Sequence, residues 1–122
     1  MKSTEFDEND YRLIADEYES LAALAKERCR NEDEFAVVQK GFEFANEAHK
    51  NVRRRSGEPY IIHPIEVAKI VVKDIGLGYK SITAALLHDV VEDTEYTTED
   101  IRALFGDKIA SLVDGLTKIK TV

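Results

Sequence analysis

The stretch "ITAALLHDVVED", residues 82–93, constrains the fold most, because it predicts a helix that is apolar on most of its sides. Such a helix has to be surrounded by other elements, so we expect it at the centre of the molecule. Its second half nevertheless carries ionisable side chains: His88, Asp89, Glu92 and Asp93. A buried helix tolerates such groups only when they are paired, hydrogen-bonded or bound to a metal. The polar end is therefore either a terminus that reaches solvent or the floor of an active site.

The rest of the chain also predicts helices, because apolar residues recur at intervals of three and four and strand-like alternation is absent. We expect Asn9 or Asp10 to cap a first helix. With Pro64 at a first helical position, His63 becomes the expected N-cap of a later helix. One helix carries a stripe that ends in a histidine: Val38, Phe42, Ala45 and His49. The prediction is an all-α fold of about six helices.

Composition and charge exclude several classes of protein. The chain is 43% hydrophobic and 34% charged, which argues against disorder, and its apolar runs are too short to cross a membrane. Its net charge of −7 argues against broad nucleic-acid binding. The single cysteine, Cys29, excludes an intramolecular disulfide and fits a reducing cytoplasm, where we expect the protein. We therefore expect neither a nucleic acid nor a membrane as partner.

A local basic run interrupts this acidic chain. It consists of Lys50, Arg53, Arg54 and Arg55, and no acidic residue follows until Glu58. One interpretation is a solvated helix end, where cations interact favourably with the helix dipole. The alternative is a small anion site, which requires a phosphate-handling centre nearby.

The acidic face of the central helix indicates a cation. Asp89, Glu92 and Asp93 are three and four residues apart, and carboxylates that share a helix face repel one another unless a positive charge compensates. Imidazole combined with carboxylate suits Mn²⁺, Fe²⁺ or Zn²⁺, and the lack of thiolates argues against a closed structural zinc site. Further ligands would come from other helices, where the remaining histidines are His49 and His63. Each also has a structural interpretation, as a core residue and as an N-cap.

Four segments, in this order and spacing, resemble the hydrolase domain of the RelA/SpoT alarmone enzymes, a branch of the HD phosphohydrolase superfamily: "RRRSGEPYIIHPIEVA", "ALLHDVVEDT", "FG" and "LVDGLTKI". The resemblance covers residues 36–122. It implies an HD-domain-like helical bundle that binds Mn²⁺ and removes the 3′-pyrophosphate of (p)ppGpp, giving GDP or GTP. We accordingly divide the chain into an N-terminal helical segment, residues 1–34, and a partial HD hydrolase domain, residues 35–122.

The resemblance also implies roles for individual residues. The implied metal ligands are His63, His88 and Asp89. The implied catalytic pair, which orients or activates the attacking water, is Glu92 and Asp93. The loop that holds the guanine nucleotide corresponds to Arg54, Arg55 and Ser56.

The resemblance further implies a fourth metal ligand, an aspartate on a later helix that we expect beyond Val122; Asp114 does not replace it. We therefore expect a C-terminally truncated domain that binds metal loosely, is weakly active, and pairs with a second copy through its last helix. The parent would be a longer enzyme that also synthesises (p)ppGpp. Two alternatives stay open: an HD phosphohydrolase for another nucleotide, and a catalytically silent regulatory or interaction fragment.

Overall fold

The computed structural model describes residues 4–120, and within that range the chain forms six α-helices. They are α1 (Glu8–Arg28), α2 (Glu32–Ala48), α3 (Ile62–Ile70), α4 (Tyr79–Asp93), α5 (Thr98–Phe105) and α6 (Asp107–Lys120). A short π-helical turn, Val71–Ile75, extends α3. The predicted all-α fold of about six helices is confirmed. The expectations that concern Val122 and the chain beyond it lie outside the described residues.

The helix α1 starts earlier than predicted. Its N-cap is Asp7, whose side chain accepts a hydrogen bond from the Asp10 amide, while the Asp10 carboxylate accepts one from the Asp7 amide. This reciprocal capping box satisfies two amide donors at once. The prediction that Asn9 or Asp10 is the cap was therefore wrong, and Asp10 instead occupies the third helical position.

The N-cap role predicted for His63 is also wrong. The helix α3 begins at Ile62 after Ile61, with no side-chain cap, because a tight turn supplies backbone acceptors: the His63 amide donates to the Tyr60 carbonyl. Pro64 is the third helical residue, where its missing amide leaves no intrahelical bond unmade. The His63 side chain therefore makes no cap and lies beside Asp89.

The helix α4 is the centre of the bundle, as predicted. Every residue from 82 to 90 is buried, and α2, α3 and α6 pack around this stretch. The helices α2 and α4 approach closely at Gly41, where an added Cβ would lie 2.8 Å from the Thr83 methyl carbon. This packing fixes the polar end of α4 relative to α2 and α3.

The helix α1 belongs to the same core, to which it contributes Ile14, Leu21 and Ala25. Our division of the chain after residue 34 remains a prediction. Within the described part of the chain, no helix is both long and apolar enough to span a membrane.

Candidate metal centre and the adjoining arginine loop

Three predicted metal ligands lie together although they come from two helices. One ligand atom each from His63, His88 and Asp89 lies within 4.8 Å of the others. The two Asp89 carboxylate oxygens face different rings: Oδ1 is 3.2 Å from His88 Nε2, and Oδ2 is 3.7 Å from His63 Nε2. Two imidazoles and a carboxylate form a donor set that fits a divalent first-row ion. The site includes His63, not His49, as the second histidine.

The backbone of α4 prepares His88 for this role. His88 Nδ1 lies 2.6 Å from the Ala85 carbonyl oxygen, which can only accept, so Nδ1 carries the proton of the neutral ring. The lone pair is then on Nε2, the atom that faces Asp89. Metal-binding histidines commonly have their other ring nitrogen fixed in this way.

Tyr60 is a residue of the site that sequence reasoning missed. Its hydroxyl donates to Asp89 Oδ2 over 3.0 Å, so it supports a carboxylate that has no solvent exposure. Burial, the Asp89 charge and the nearby Asp93 carboxylate all raise the pKa of Tyr60. Tyr60 therefore stays a neutral hydrogen-bond donor at physiological pH. It connects Asp93 with the metal-ligand cluster, which is formed by His63, His88 and Asp89.

His49 lies buried behind this cluster, with its ring stacked at a tilt on Tyr60 at a centroid distance of 4.8 Å. Burial lowers its pKa, against the opposing charges of Asp93 and Asp89. The structural interpretation holds for its packing, but Nε2 has no hydrogen-bond partner among the described residues. His49 is thus a neutral histidine of the core, although its Nε2 atom makes no hydrogen bond among the described residues.

Glu92 and Asp93 occupy the last turn of α4, and both are exposed. They follow Asp89 by three and four residues, so all three carboxylates point to one side of the helix. The helix therefore runs from a buried cluster of possible ligands to a pair of solvent-accessible carboxylates within one turn.

The predicted nucleotide-binding residues lie in the loop between α2 and α3. Arg54, Arg55 and Ser56 are exposed. The Ser56 hydroxyl donates to Glu58 Oε1 at 2.7 Å, and Arg54 Nε lies 3.9 Å from the same oxygen. The loop leads into Tyr60, so its exposed arginines lie six and five residues before a residue that contacts Asp89.

The first arginine of the basic run is used differently. Arg53 forms an ion pair with Asp10 of α1, with Nη2 2.7 Å from Asp10 Oδ2. The interpretation of the whole run as one anion site therefore does not extend to Arg53. The three arginines of the run therefore divide into a structural one, Arg53, and two exposed ones, Arg54 and Arg55.

Comparison with known proteins identifies the family of this chain. The sequence profile of the HD domain family matches residues 41–122. A guanosine-3′,5′-bis(diphosphate) 3′-pyrophosphohydrolase of Aquifex aeolicus is 49% identical over 82 residues, which are 67% of this chain and 12% of the relative. The bifunctional (p)ppGpp synthase/hydrolase SpoT of Escherichia coli is 44% identical over 88 residues, 72% of this chain and 12% of the relative.

A further relative carries a different activity in its name. The GTP pyrophosphokinase of Streptomyces coelicolor is 44% identical over 85 residues, which cover 70% of this chain and 10% of the relative. The chain thus spans 10–12% of the length of these three proteins. The resemblance to RelA/SpoT hydrolase domains is confirmed.

Proposed function

Because the chain belongs to the HD domain family, we propose that it forms the metal-binding part of an enzyme that hydrolyses the 3′-pyrophosphate of (p)ppGpp, an alarmone of the stringent response. The products would be pyrophosphate and GDP or GTP. The observation that carries this proposal is the approach of His63, His88 and Asp89 within 4.8 Å of one another. The names of the relatives from Aquifex aeolicus and Escherichia coli support the choice of substrate.

The HD domain implies a divalent metal, and we propose Mn²⁺ as the ion that the cluster holds. His63 and His88 would bind it through Nε2, and Asp89 through its carboxylate. When bound, such an ion neutralises charge at the phosphorus and lowers the pKa of water. The Tyr60 hydroxyl keeps Asp89 oriented by its hydrogen bond to Oδ2.

Glu92 and Asp93 are the proposed proton acceptors. They stand exposed one turn beyond Asp89, where a water molecule can reach them. Either carboxylate can orient that water and accept its proton, because carboxylate oxygens are hydrogen-bond acceptors. Tyr60, which lies close to both Asp89 and Asp93, would fix the position of the proton acceptor relative to the metal ligand.

The proposed substrate contacts are Arg54, Arg55 and Ser56. Guanidinium groups bind phosphate through paired hydrogen bonds and stack on purine rings, so two exposed arginines suit a guanine nucleotide with several phosphates. The Ser56 hydroxyl can accept or donate a further hydrogen bond. Glu58, which contacts both Arg54 and Ser56, would release them when a phosphate competes.

The GTP pyrophosphokinase name of the Streptomyces coelicolor relative fits the proposal that the parent is a longer enzyme that also synthesises (p)ppGpp. The two alternatives to this function are a catalytically silent regulatory or interaction fragment and an HD phosphohydrolase for another nucleotide. A cytoplasmic location and self-association through α6 also remain proposals.

The test is pyrophosphate release from ppGpp by the purified chain in Mn²⁺, compared with a His88→Ala variant and with GTP as a second substrate. We expect release from ppGpp alone, at a low rate, and none from the variant. Metal binding without release would favour the silent domain. Release from GTP at an equal or higher rate would favour an enzyme for another nucleotide.

A further inference from the structure

We propose that Asp10 and Arg53 are a positioning pair, through which the N-terminal segment, residues 4–10, holds the arginine loop, residues 51–59, in its binding conformation. The proposal rests on the proposed function, because it assumes that this loop binds the nucleotide. It assigns to the start of the chain a role in substrate affinity, although these residues lie outside the match to the HD domain family.

The Arg53 guanidinium is bonded on almost every side. Its Nη1 and Nη2 atoms donate to the two Asp10 carboxylate oxygens at 3.2 and 2.7 Å, the paired geometry that arginine forms with carboxylates. Nε donates to the Thr4 carbonyl at 3.2 Å, and Nη2 to the Glu5 carbonyl at 2.9 Å. The guanidinium carbon also lies 5.3 Å from the centre of the Phe6 ring. The N-terminal segment thus surrounds one side chain of the loop.

The same guanidinium reaches across the loop. Arg53 Nη1 donates to the Gly57 carbonyl at 2.9 Å, which closes the turn that carries Arg54, Arg55 and Ser56. Backbone bonds complete this turn, since the Arg54 amide donates to the Glu58 carbonyl at 3.0 Å. One side chain therefore joins the near and far sides of the turn to the N-terminal segment.

A second contact attaches the start of the loop. The Phe6 amide donates to Asn51 Oδ1 at 2.9 Å, and Asn51 has a positive φ of 63°, a left-handed conformation that asparagine tolerates better than most residues. The loop is therefore attached to the N-terminal segment both at Asn51 and at Arg53.

The charge of Asp10 and the exposures of the two arginines agree with a structural role for Arg53. The Arg53 hydrogen bonds, and then the Asp7 amide, lower the pKa of Asp10, so the carboxylate stays ionised at neutral pH. The Arg53 side chain is 24% exposed, whereas that of Arg54 is 43% exposed. Arg53 is thus committed to internal partners, while its neighbour remains accessible to a ligand.

An anchored loop binds its ligand more tightly, because less conformational freedom is lost on binding. The metal-ligand cluster lies on α3 and α4, whereas the Asp10–Arg53 pair joins α1 to the arginine loop. Loss of the pair should therefore raise KM and leave kcat and metal affinity unchanged.

The test uses Asp10→Asn and Arg53→Lys in the whole 122-residue chain. Lysine keeps the positive charge of the loop but cannot form the paired bonds to Asp10, so it separates anchoring from simple attraction of phosphate. The matched control is Glu17→Gln, which removes the charge that pairs with Lys69 at 2.6 Å, another contact between α1 and the bundle, seven residues after Asp10. The readouts are amide hydrogen exchange of residues 54–58 without ligand, KM and kcat for ppGpp, and Mn²⁺ affinity.

We expect both variants to speed exchange in residues 54–58 and to raise KM about fivefold, with kcat and Mn²⁺ affinity within about twofold of the parent. Glu17→Gln should change neither the loop exchange nor KM. Loop exchange equal to that of the control, a normal KM in both variants, or a normal KM in Arg53→Lys alone would each overturn the proposal. If the parent chain neither binds nor hydrolyses ppGpp, the proposed function fails, whereas the exchange comparison still decides whether the pair orders the loop.

Discussion

His88 and Asp89 lie in the most buried part of α4, with exposures of 5% and 0%, whereas Arg54, Arg55 and Ser56 are exposed in the loop between α2 and α3. The buried residues are held by the helix itself and by side chains that contact one another, such as Tyr60 and Asp89. The loop instead contacts the N-terminal segment, which is distant from it in the sequence. The metal-ligand cluster and the arginine loop are therefore stabilised by largely different contacts, and Tyr60 at the end of the loop is the link between them.

This separation predicts that a substitution in one half of the site, the metal-ligand cluster or the arginine loop, leaves the function of the other half intact. Changes in the cluster should remove metal and leave nucleotide affinity largely intact. Changes in the loop should do the reverse. The predictions below begin with the largest expected effect.

Replacing Asp89 by Asn should have the largest effect. The amide keeps the shape of the side chain but removes the negative charge that both imidazoles face. We expect Mn²⁺ affinity and ppGpp hydrolysis to fall by more than about 100-fold, beyond the loss typical of residues that only support a ligand. Calorimetry with Mn²⁺ is the measurement, and Asp114→Asn on α6 is the control. Equal metal affinity in Asp89→Asn and the parent would refute the assignment.

Tyr60→Phe removes only the hydroxyl that donates to Asp89 Oδ2. Loss of such a supporting hydrogen bond typically costs roughly 10–100-fold in metal affinity, so we expect a drop in that range. Tyr96→Phe, which alters an exposed tyrosine packed on Phe44, should leave the affinity unchanged. A Tyr60→Phe protein with normal Mn²⁺ binding would show that Asp89 needs no support from the loop end.

Arg54→Ala tests the exposed half. A hydrogen bond to a charged group contributes about 1.5–3 kcal/mol, and screening by solvent places this exposed contact at the lower end, so we expect KM for ppGpp to rise about tenfold. Mn²⁺ affinity should not change. Lys50→Ala, an exposed cation four residues earlier, is the control. An unchanged KM would favour the alternative interpretation, in which Arg54 is a solvated surface charge.

The pH dependence of the Asp10–Arg53 pair should be the smallest effect. Because the pKa of Asp10 is lowered from 3.8 in the folded state, its contribution to the free energy of unfolding is complete above pH 3.8 and lost as the pH falls through the folded value. Carbon NMR titration should give a pKa below 3.8 for Asp10 and a higher pKa in Arg53→Ala, where the guanidinium no longer lowers it. The same pKa in both proteins would mean that the guanidinium does not hold this carboxylate.

The predictability of the two halves differs for a physical reason. The residues His88 and Asp89 stand out in the sequence because ionisable groups in an apolar helix require compensation, and His63 is of the matching ligand type. Their convergence was expected, although the role of each residue stays a prediction. The burial of α4 followed from the same pattern, since an all-round apolar helix has to be enclosed.

The supporting residues could not be predicted, because their partners are distant in the chain. Tyr60 bonds Asp89 across 29 residues, and Arg53 bonds Asp10 across 43. No local pattern marks either pair. The start of α3 was misjudged for a related reason: backbone carbonyls of the preceding turn satisfy its first amides, so a side-chain cap at His63 is unnecessary.

The most direct test of the metal centre is anomalous diffraction at the manganese edge from crystals of this chain soaked in Mn²⁺. The high concentration of a soak also detects an ion that binds loosely. We predict one strong peak within coordination distance of His63 Nε2, His88 Nε2 and the Asp89 carboxylate, and no such peak in Asp89→Asn crystals. No peak between these three side chains at saturating Mn²⁺, or an equal peak in the variant, would contradict the account.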